Sequence, residues 1–215
     1  MKKLVVFDLD GTLVNSIVDL GNAVNIALKE YNLPLHPMAD YYGFVGNGME
    51  DLVRRSMNEK GGDDNLYLKV REAFDAYYNA HSNDNPVPYQ GVSELLQKLN
   101  EMNIKTAVLT NKAQQFVGDI LDKCFPEHSF SAIYGQRQAI KRKPDPEAFE
   151  LLLKELKVNK QDCLYVGDSE VDVKTAINAG IDLVAVTWGY RSVDVLKSAG
   201  AEVLVNTPKE ILNYV

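Results

Sequence analysis

The chain has 215 residues, of which 46% are hydrophobic and 25% charged, which excludes a disordered, collagen-like or disulfide-scaffolded polypeptide. That length suits one core domain with room for a small insertion. A formal net charge of −7, with Lys141-Arg142-Lys143 as the longest basic run, argues against nucleic acid as a partner, because phosphate contacts need clustered cations.

The chain opens on Met1-Lys2-Lys3 and runs straight into the apolar Leu4-Val5-Val6-Phe7. No small-residue cleavage site follows, so this stretch reads as a core strand rather than a signal peptide, and a cytoplasmic location is the expectation. No apolar run approaches the roughly 18 residues of a membrane span. Next come Asp8-Leu9-Asp10-Gly11-Thr12-Leu13 and then a long helical stretch. Ile17, Leu20, Val24, Leu28 and Tyr31 keep helical spacing, with Asn15 or Ser16 as the N-cap. Met49, Leu52, Val53 and Met57 form a second stripe, and Leu66, Val70, Phe74, Tyr77 and His81 a third. Between Leu13 and about Pro88 no strand is evident. A wholly helical segment inside an α/β chain reads as an inserted domain, with seams where Asn, Asp and Pro cluster. The expected division is a core of residues 1–14 and 84–215 and a helical cap of residues 15–83.

Beyond the seam, strand-like runs alternate with amphipathic helices. The strands are expected at Thr106–Leu109, Ala132–Tyr134, Cys163–Val166, Leu183–Val186 and Val203–Val205. Most are continuously apolar, as strands covered on both faces are. The helices carry Val92, Leu95, Leu96 and Leu99; then Phe149, Leu152, Leu153 and Leu156; then Val171 to Ala179, ending at Gly180. The fold class expected is α/β, a Rossmann-like parallel sheet with helices on both faces.

The chemistry lies at the carboxyl ends of these strands, where open α/β sheets bind ligands. Asp8 and Asp10 stand two residues apart after the first strand, and Gly11 lets the backbone turn there. Asp8 suits a nucleophile and Asp10 a group that gives and takes a proton. A Mg²⁺ or Ca²⁺ site without covalent chemistry, or a turn with solvated acids, uses the same residues. Thr110-Asn111 offers a hydroxyl and an amide for a phosphoryl oxygen, although such a pair is also an ordinary turn. Lys143 opens a helix against its dipole, a placement that favours an anionic partner. Asp168 is placed to hold a hard cation or to cap a helix, and Asp172 to orient Asp168, Lys143 or a water. His36, His81 and His128 share no metal-binding spacing and read as structural or surface residues. Cys124 and Cys163, too few for a disulfide framework, read as small buried groups.

These four stations, in this order, resemble the haloacid dehalogenase-like hydrolases. The motifs are Asp8-Leu9-Asp10-Gly11-Thr12, Thr110-Asn111, Lys143, and Gly167-Asp168-Ser169 with Asp172. The likeness spans essentially the whole chain, and the helical insertion matches the family's type-one cap. It implies Mg²⁺ held by Asp8, the backbone carbonyl of Asp10, and Asp168. It also implies Lys143 on the nucleophile and phosphoryl group, Thr110 steadying the transferring oxygens, and an aspartyl-phosphate intermediate. The family's true dehalogenases lack an acid at the place of Asp10, since halide leaves without a proton, so Asp10 points to phosphoryl chemistry. With Asp8, Asp168 and Asp172 ionised and Asp10 protonated, Mg²⁺ and Lys143 bring the site near neutrality, so a divalent metal is expected to be required.

Phe44 to Val53, containing Gly46-Asn47-Gly48, resembles the cap segment of phosphoglycolate phosphatases. Its glycines would open a helix N-terminus able to receive a carboxylate, or simply form a loop and cap. Arg54 and Arg55 are candidate counter-charges on that helix. Thr187-Trp188-Gly189-Tyr190 also looks like that subfamily and is given no chemistry. Many relatives have an acid where this chain has Asn15, which weakens a cap-hinge carboxylate. The expectation is Mg²⁺-dependent hydrolysis of a small phosphorylated metabolite, 2-phosphoglycolate foremost, by a monomer or homodimer. Inorganic pyrophosphatase and sugar-phosphate phosphatase or phosphomutase are the alternatives, and a non-catalytic binding module is the contrasting class.

Overall fold

The computed structural model describes residues 1–215. In chain order the elements are β1 (Leu4–Phe7), β2 (Val14–Asn15), α1 (Ile17–Glu30), α2 (Met38–Phe44), α3 (Met49–Ser56), α4 (Asp64–His81), β3 (Val87–Pro88), α5 (Val92–Glu101), β4 (Lys105–Ala113) and α6 (Gln114–Cys124). There follow β5 (Ala132–Gln136), α7 (Glu147–Leu156), β6 (Cys163–Gly167), α8 (Glu170–Ala179), β7 (Asp182–Val186), α9 (Val193–Ala199) and β8 (Leu204–Val205). Short 3₁₀ turns occupy Asn58–Gly62, Lys160–Asp162 and Pro208–Tyr214. The chain divides into two compact units, Met1–Asn15 with Pro88–Val215, and Ser16–Val87.

The first unit is a six-stranded parallel sheet in the order β5-β4-β1-β6-β7-β8. Successive strand residues point to opposite faces, and here each face has its own apolar cluster. Val5, Phe7, Val108, Leu164 and Val166 meet α5 and α6 through Leu95, Leu99, Val117 and Ile120. Leu4, Val6, Ala107, Leu109 and Tyr165 meet α7 and α8 through Phe149, Leu152, Ala176 and Ala179. Burial on both sides explains the unbroken apolar runs. The central strands present their carboxyl ends as one row, because β1 pairs in parallel and in register with both β4 and β6.

Three differences from the sequence reading have physical causes. The strand expected at Thr106–Leu109 runs on to Ala113, with its pairing to β5 slipping between Leu109 and Ala113. Two-residue strands, β2 and β3, form a separate ribbon where no strand was expected, because so short a run has no readable period. Helices α2, α6 and α9 were not foreseen, although Phe116, Val117, Ile120 and Leu121 give α6 a buried stripe. No helix is long and apolar enough to cross a membrane.

The second unit is helical. Leu20, Ala23, Val24, Ala27 and Leu28 of α1, and Val70, Phe74 and Tyr78 of α4, are buried. Asp19, buried on α1, accepts hydrogen bonds from the backbone and side-chain amides of Asn85. Arg54 is not an open counter-charge. Its guanidinium pairs with Glu50 and Asp64, donates to the Gly61 carbonyl and stacks 3.8 Å over the Tyr67 ring. Arg55 reaches Asp51 at 3.5 Å and the Gly43 carbonyl at 3.3 Å. The histidines are likewise absorbed, His36 by Ser56 O and Asp40, His81 by Asp84, and His128 by the Thr106 hydroxyl. Cys163 is buried, whereas Cys124 is only partly so.

Candidate active site

Asp8 leaves the end of β1, and its backbone N–H still donates to Val166 of β6. Its Oδ1 accepts from the Leu9 N–H at 2.7 Å and lies 3.0 Å from Lys143 Nζ. Gly11 then turns at φ +95°, and a methyl group there would fall on the Asp168 carboxylate. Glycine is thus required twice over, for conformation and for space. Thr12 uses the turn to donate its hydroxyl to Asp168 Oδ1 at 2.9 Å.

Asp168 follows β6 and is 1% exposed. Its other oxygen accepts from the Tyr190 N–H at 2.8 Å. Ser169 caps α8, with Asp172 closing a reciprocal capping box. Asp172 is fully buried and saturated with donors. Its Oδ1 accepts from Lys143 Nζ and from the Tyr165 hydroxyl, both at 2.7 Å. Its Oδ2 accepts from the Ser169 hydroxyl and from the backbone N–H groups of Ser169 and Asp168.

The slip in β4 shapes the remaining wall, as bulges often re-aim side chains beside active sites. Thr110 Oγ1 accepts from the Lys112 N–H, which leaves its O–H proton to donate elsewhere. Asn111 turns its amide to the Lys143 backbone, accepting from its N–H at 2.9 Å and donating to its carbonyl at 3.1 Å. It therefore fixes where Lys143 begins. Lys112 places Nζ 3.2 and 3.3 Å from the two oxygens of Asp10.

Carboxylate oxygens of Asp8, Asp168 and Asp172 lie within 4.8 Å of one another. Burial pushes Asp8 up to about 7, against the pull of Lys143. Burial, with Asp172 and Asp8 adding to it, pushes Asp168 well above the carboxylate range. Asp172 resists its burial because Lys143 holds it below its ordinary value. Lys143 is held above its own ordinary value, since Asp172 and Asp8 outweigh the cost of burying it. Fully ionised, the four carboxylates (Asp8, Asp10, Asp168, Asp172) would exceed the two ammonium groups (Lys112, Lys143) by two charges, the charge of one divalent cation. The donor set is all oxygen, which suits a hard cation. The cluster thus fits a divalent metal, and Asp172, with both oxygens engaged, holds the Lys143 ammonium and the backbone of Asp168.

The structure brings Asp8, Asp10, Gly11, Thr110, Asn111, Lys143, Asp168 and Asp172 together at the carboxyl ends of the central strands. Gly46, Asn47 and Gly48 belong to the second unit, where Gly46 and Gly48 have φ of +126° and +88°. Gly48 is the N-cap of α3 and offers no side-chain acceptor to its first N–H groups. Sequence reading gave no role in the site to Lys112, Thr12, Tyr165 or the Trp188–Tyr190 turn. Trp188 donates its indole N–H to Thr12 O, and a methyl on Gly189 would meet Asp168. Thr12 and that turn sat inside stretches already marked, whereas Lys112 and Tyr165 carried no signal beyond their neighbours.

Residues 5–186 match the family described as haloacid dehalogenase-like hydrolase. A phosphoglycolate phosphatase of Pseudomonas savastanoi pv. phaseolicola is 39% identical over 194 residues, covering 88% of this chain and 71% of its own length. One of Aliivibrio fischeri is 30% identical over 215 residues, covering 98% and 95%. A crystal structure from Lactobacillus delbrueckii subsp. bulgaricus, provisionally named a phosphoglycolate phosphatase, superposes with a TM-score of 0.93 at 31% identity, covering 100% of this chain and 98% of its own.

Proposed function

The chain belongs to the haloacid dehalogenase-like hydrolases and is a phosphatase, and from that premise we propose that it hydrolyses 2-phosphoglycolate through an aspartyl-phosphate on Asp8, with Mg²⁺ as its metal. The observation that carries the reaction is the buried cluster of Asp8, Asp168 and Asp172 closed by Lys143. Asp8 attacks phosphorus as the bond to the alcohol oxygen breaks, and Asp10 gives that oxygen its proton. Water then attacks the phosphorus of the aspartyl-phosphate and returns a proton to Asp10 as Asp8 departs. Lys143 stays charged and steadies Asp8 and the transferring oxygens. Thr110 has a hydroxyl proton for one of those oxygens. Asp8, Asp168 and the backbone carbonyl of Asp10 would hold the Mg²⁺. When bound, that ion supplies positive charge against the negative charge of the transferring group.

The narrower substrate rests on two supports. Relatives along nearly the whole chain carry the name phosphoglycolate phosphatase. Gly48 also leaves the N–H groups opening α3 without a side-chain cap, which suits a carboxylate. We assign residues 15–83 as the unit that selects the substrate and residues 1–14 and 84–215 as the unit that reacts. The test compares kcat/KM with Mg²⁺ across 2-phosphoglycolate, pyrophosphate, sugar phosphates and nucleotides. Phosphoglycolate is expected to lead by about tenfold or more, the scale of one well-placed polar contact. Equal rates across the set would remove the substrate name. Full turnover in excess chelator would remove the metal.

A further inference from the structure

Lys112 is an anomaly for the chemistry described so far. A lysine is rarely buried without a partner, since desolvating an ammonium is costly. Yet the Lys112 side chain is 2% exposed, and its Nζ spans both oxygens of Asp10 at 3.2 and 3.3 Å. The bulge that interrupts the pairing of β4 with β5 is what puts it there, and its own N–H is tied to Thr110 Oγ1. Asp10 is held from its backbone side as well, by a bridge to Val14. Asp8 has its ammonium in Lys143, and the acid two residues on has a different one.

We propose that Lys112 is a positioning residue for proton transfer, fixing the direction in which the Asp10 carboxyl group faces. This rests on the phosphatase reading above. In the first step the proton passes from Asp10 to the leaving alcohol oxygen while the phosphorus–oxygen bond breaks. In the second it passes from the attacking water to Asp10 while the bond to Asp8 breaks. Lys112 keeps its own protons throughout and makes no bond to phosphorus. Its effect falls only where a proton must be delivered, because an acid pointed away from the leaving oxygen is of no use to it.

The experiment uses the full chain with Mg²⁺ and measures kcat/KM, which reports transfer to Asp8, along a series of leaving groups. The series runs from 2,4-dinitrophenyl phosphate, whose phenolate leaves unprotonated, through p-nitrophenyl phosphate to glycerol phosphate. Lys112→Met should lose about tenfold or more on glycerol phosphate, within the range of general-acid assistance, and less than about threefold on the dinitrophenyl ester. Lys112→Arg should recover part of the loss. On an Asp10→Asn background, Lys112→Met should add less than about threefold, because the group it positions is gone. A uniform loss along the series, or full additivity with Asp10→Asn, overturns the proposal and leaves Lys112 a structural ion pair. If Lys112→Met does not fold, Lys112→Gln and Lys112→Arg carry the same series. A wild-type chain inactive on every ester would instead sink the phosphatase reading itself.

Discussion

At the scale of single residues, Asp8 holds two demands in tension. As the proposed nucleophile it must be an anion to attack phosphorus, and its surroundings resist the charge, burial raising it to about 7. In the metal-free protein the sign follows directly. Between the unfolded value near 4 and the folded value near 7, native Asp8 keeps a proton that the unfolded chain has released, so its contribution to stability falls as pH rises through that window and is constant above it. Asp8→Asn removes the penalised charge without changing the shape. The variant is therefore expected to lose about 1,000-fold or more in turnover, yet to melt higher than metal-free wild type at pH 8. Its advantage should shrink as pH is lowered toward about 4. Added Mg²⁺ should raise the wild-type melting temperature at pH 8 and move the variant far less. Thermal melts with chelator and with Mg²⁺ across this pH range check it, and a variant less stable than chelated wild type at pH 8 would count against the burial account. Asp8, Asp10, Lys143 and Asp168 were readable as candidates because they stand where recognisable apolar strand and helix patterns end or begin. Lys112 was not readable, because a lysine after Thr-Asn looks like any surface lysine until the fold buries it.

Among elements, the loop after β7 shows how a stretch without chemical groups can govern a charged one. Trp188, Gly189 and Tyr190 wrap Asp168 from outside the motif that contains it. The indole secures Thr12, whose hydroxyl holds one Asp168 oxygen, and the Tyr190 N–H holds the other. Gly189 passes so close that a Cβ would displace the carboxylate. Gly189→Ala should therefore weaken metal use before it weakens the sheet. The Mg²⁺ concentration for half-maximal activity is expected to rise about tenfold or more, as for other groups that orient metal ligands, with kcat at saturating Mg²⁺ falling less. A Mg²⁺ titration of activity checks this, and an unchanged half-point with reduced kcat would contradict it. The sequence made this turn conspicuous but silent, since proximity to Asp168 is created by β6 and β7 lying side by side. The sheet strands themselves were readable because two-sided burial writes continuous apolar runs. The slip in β4 was not, because Thr110, Asn111 and Lys112 look like the end of a strand and become a bulge only through pairing with β5.

For the whole molecule, the pattern of periods differs between two parts: alternating strands and helices in one, helices alone in the other. On the proposed reading the reacting groups all come from the parallel-sheet unit, which would leave the helical unit to vary with substrate while the chemistry stays constant. Gly48 tests that separation, because it lies in the helical unit at φ +88° and ψ 175°, a region side chains scarcely tolerate. Gly48→Ala should cost about 1–3 kcal/mol locally and re-aim the N–H groups that open α3. No group of the carboxylate cluster is altered by it. The expected outcome is a split in kinetics. For 2-phosphoglycolate, kcat/KM should fall about tenfold, mainly through KM, as a lost carboxylate contact predicts, whereas p-nitrophenyl phosphate, which has no carboxylate, should keep its rate within about threefold. Loss on both esters alike would mean that the substitution had disturbed the reacting unit or the fold. Loss on neither would return Gly46-Asn47-Gly48 to an ordinary loop and leave the choice of substrate to other residues of the helical unit.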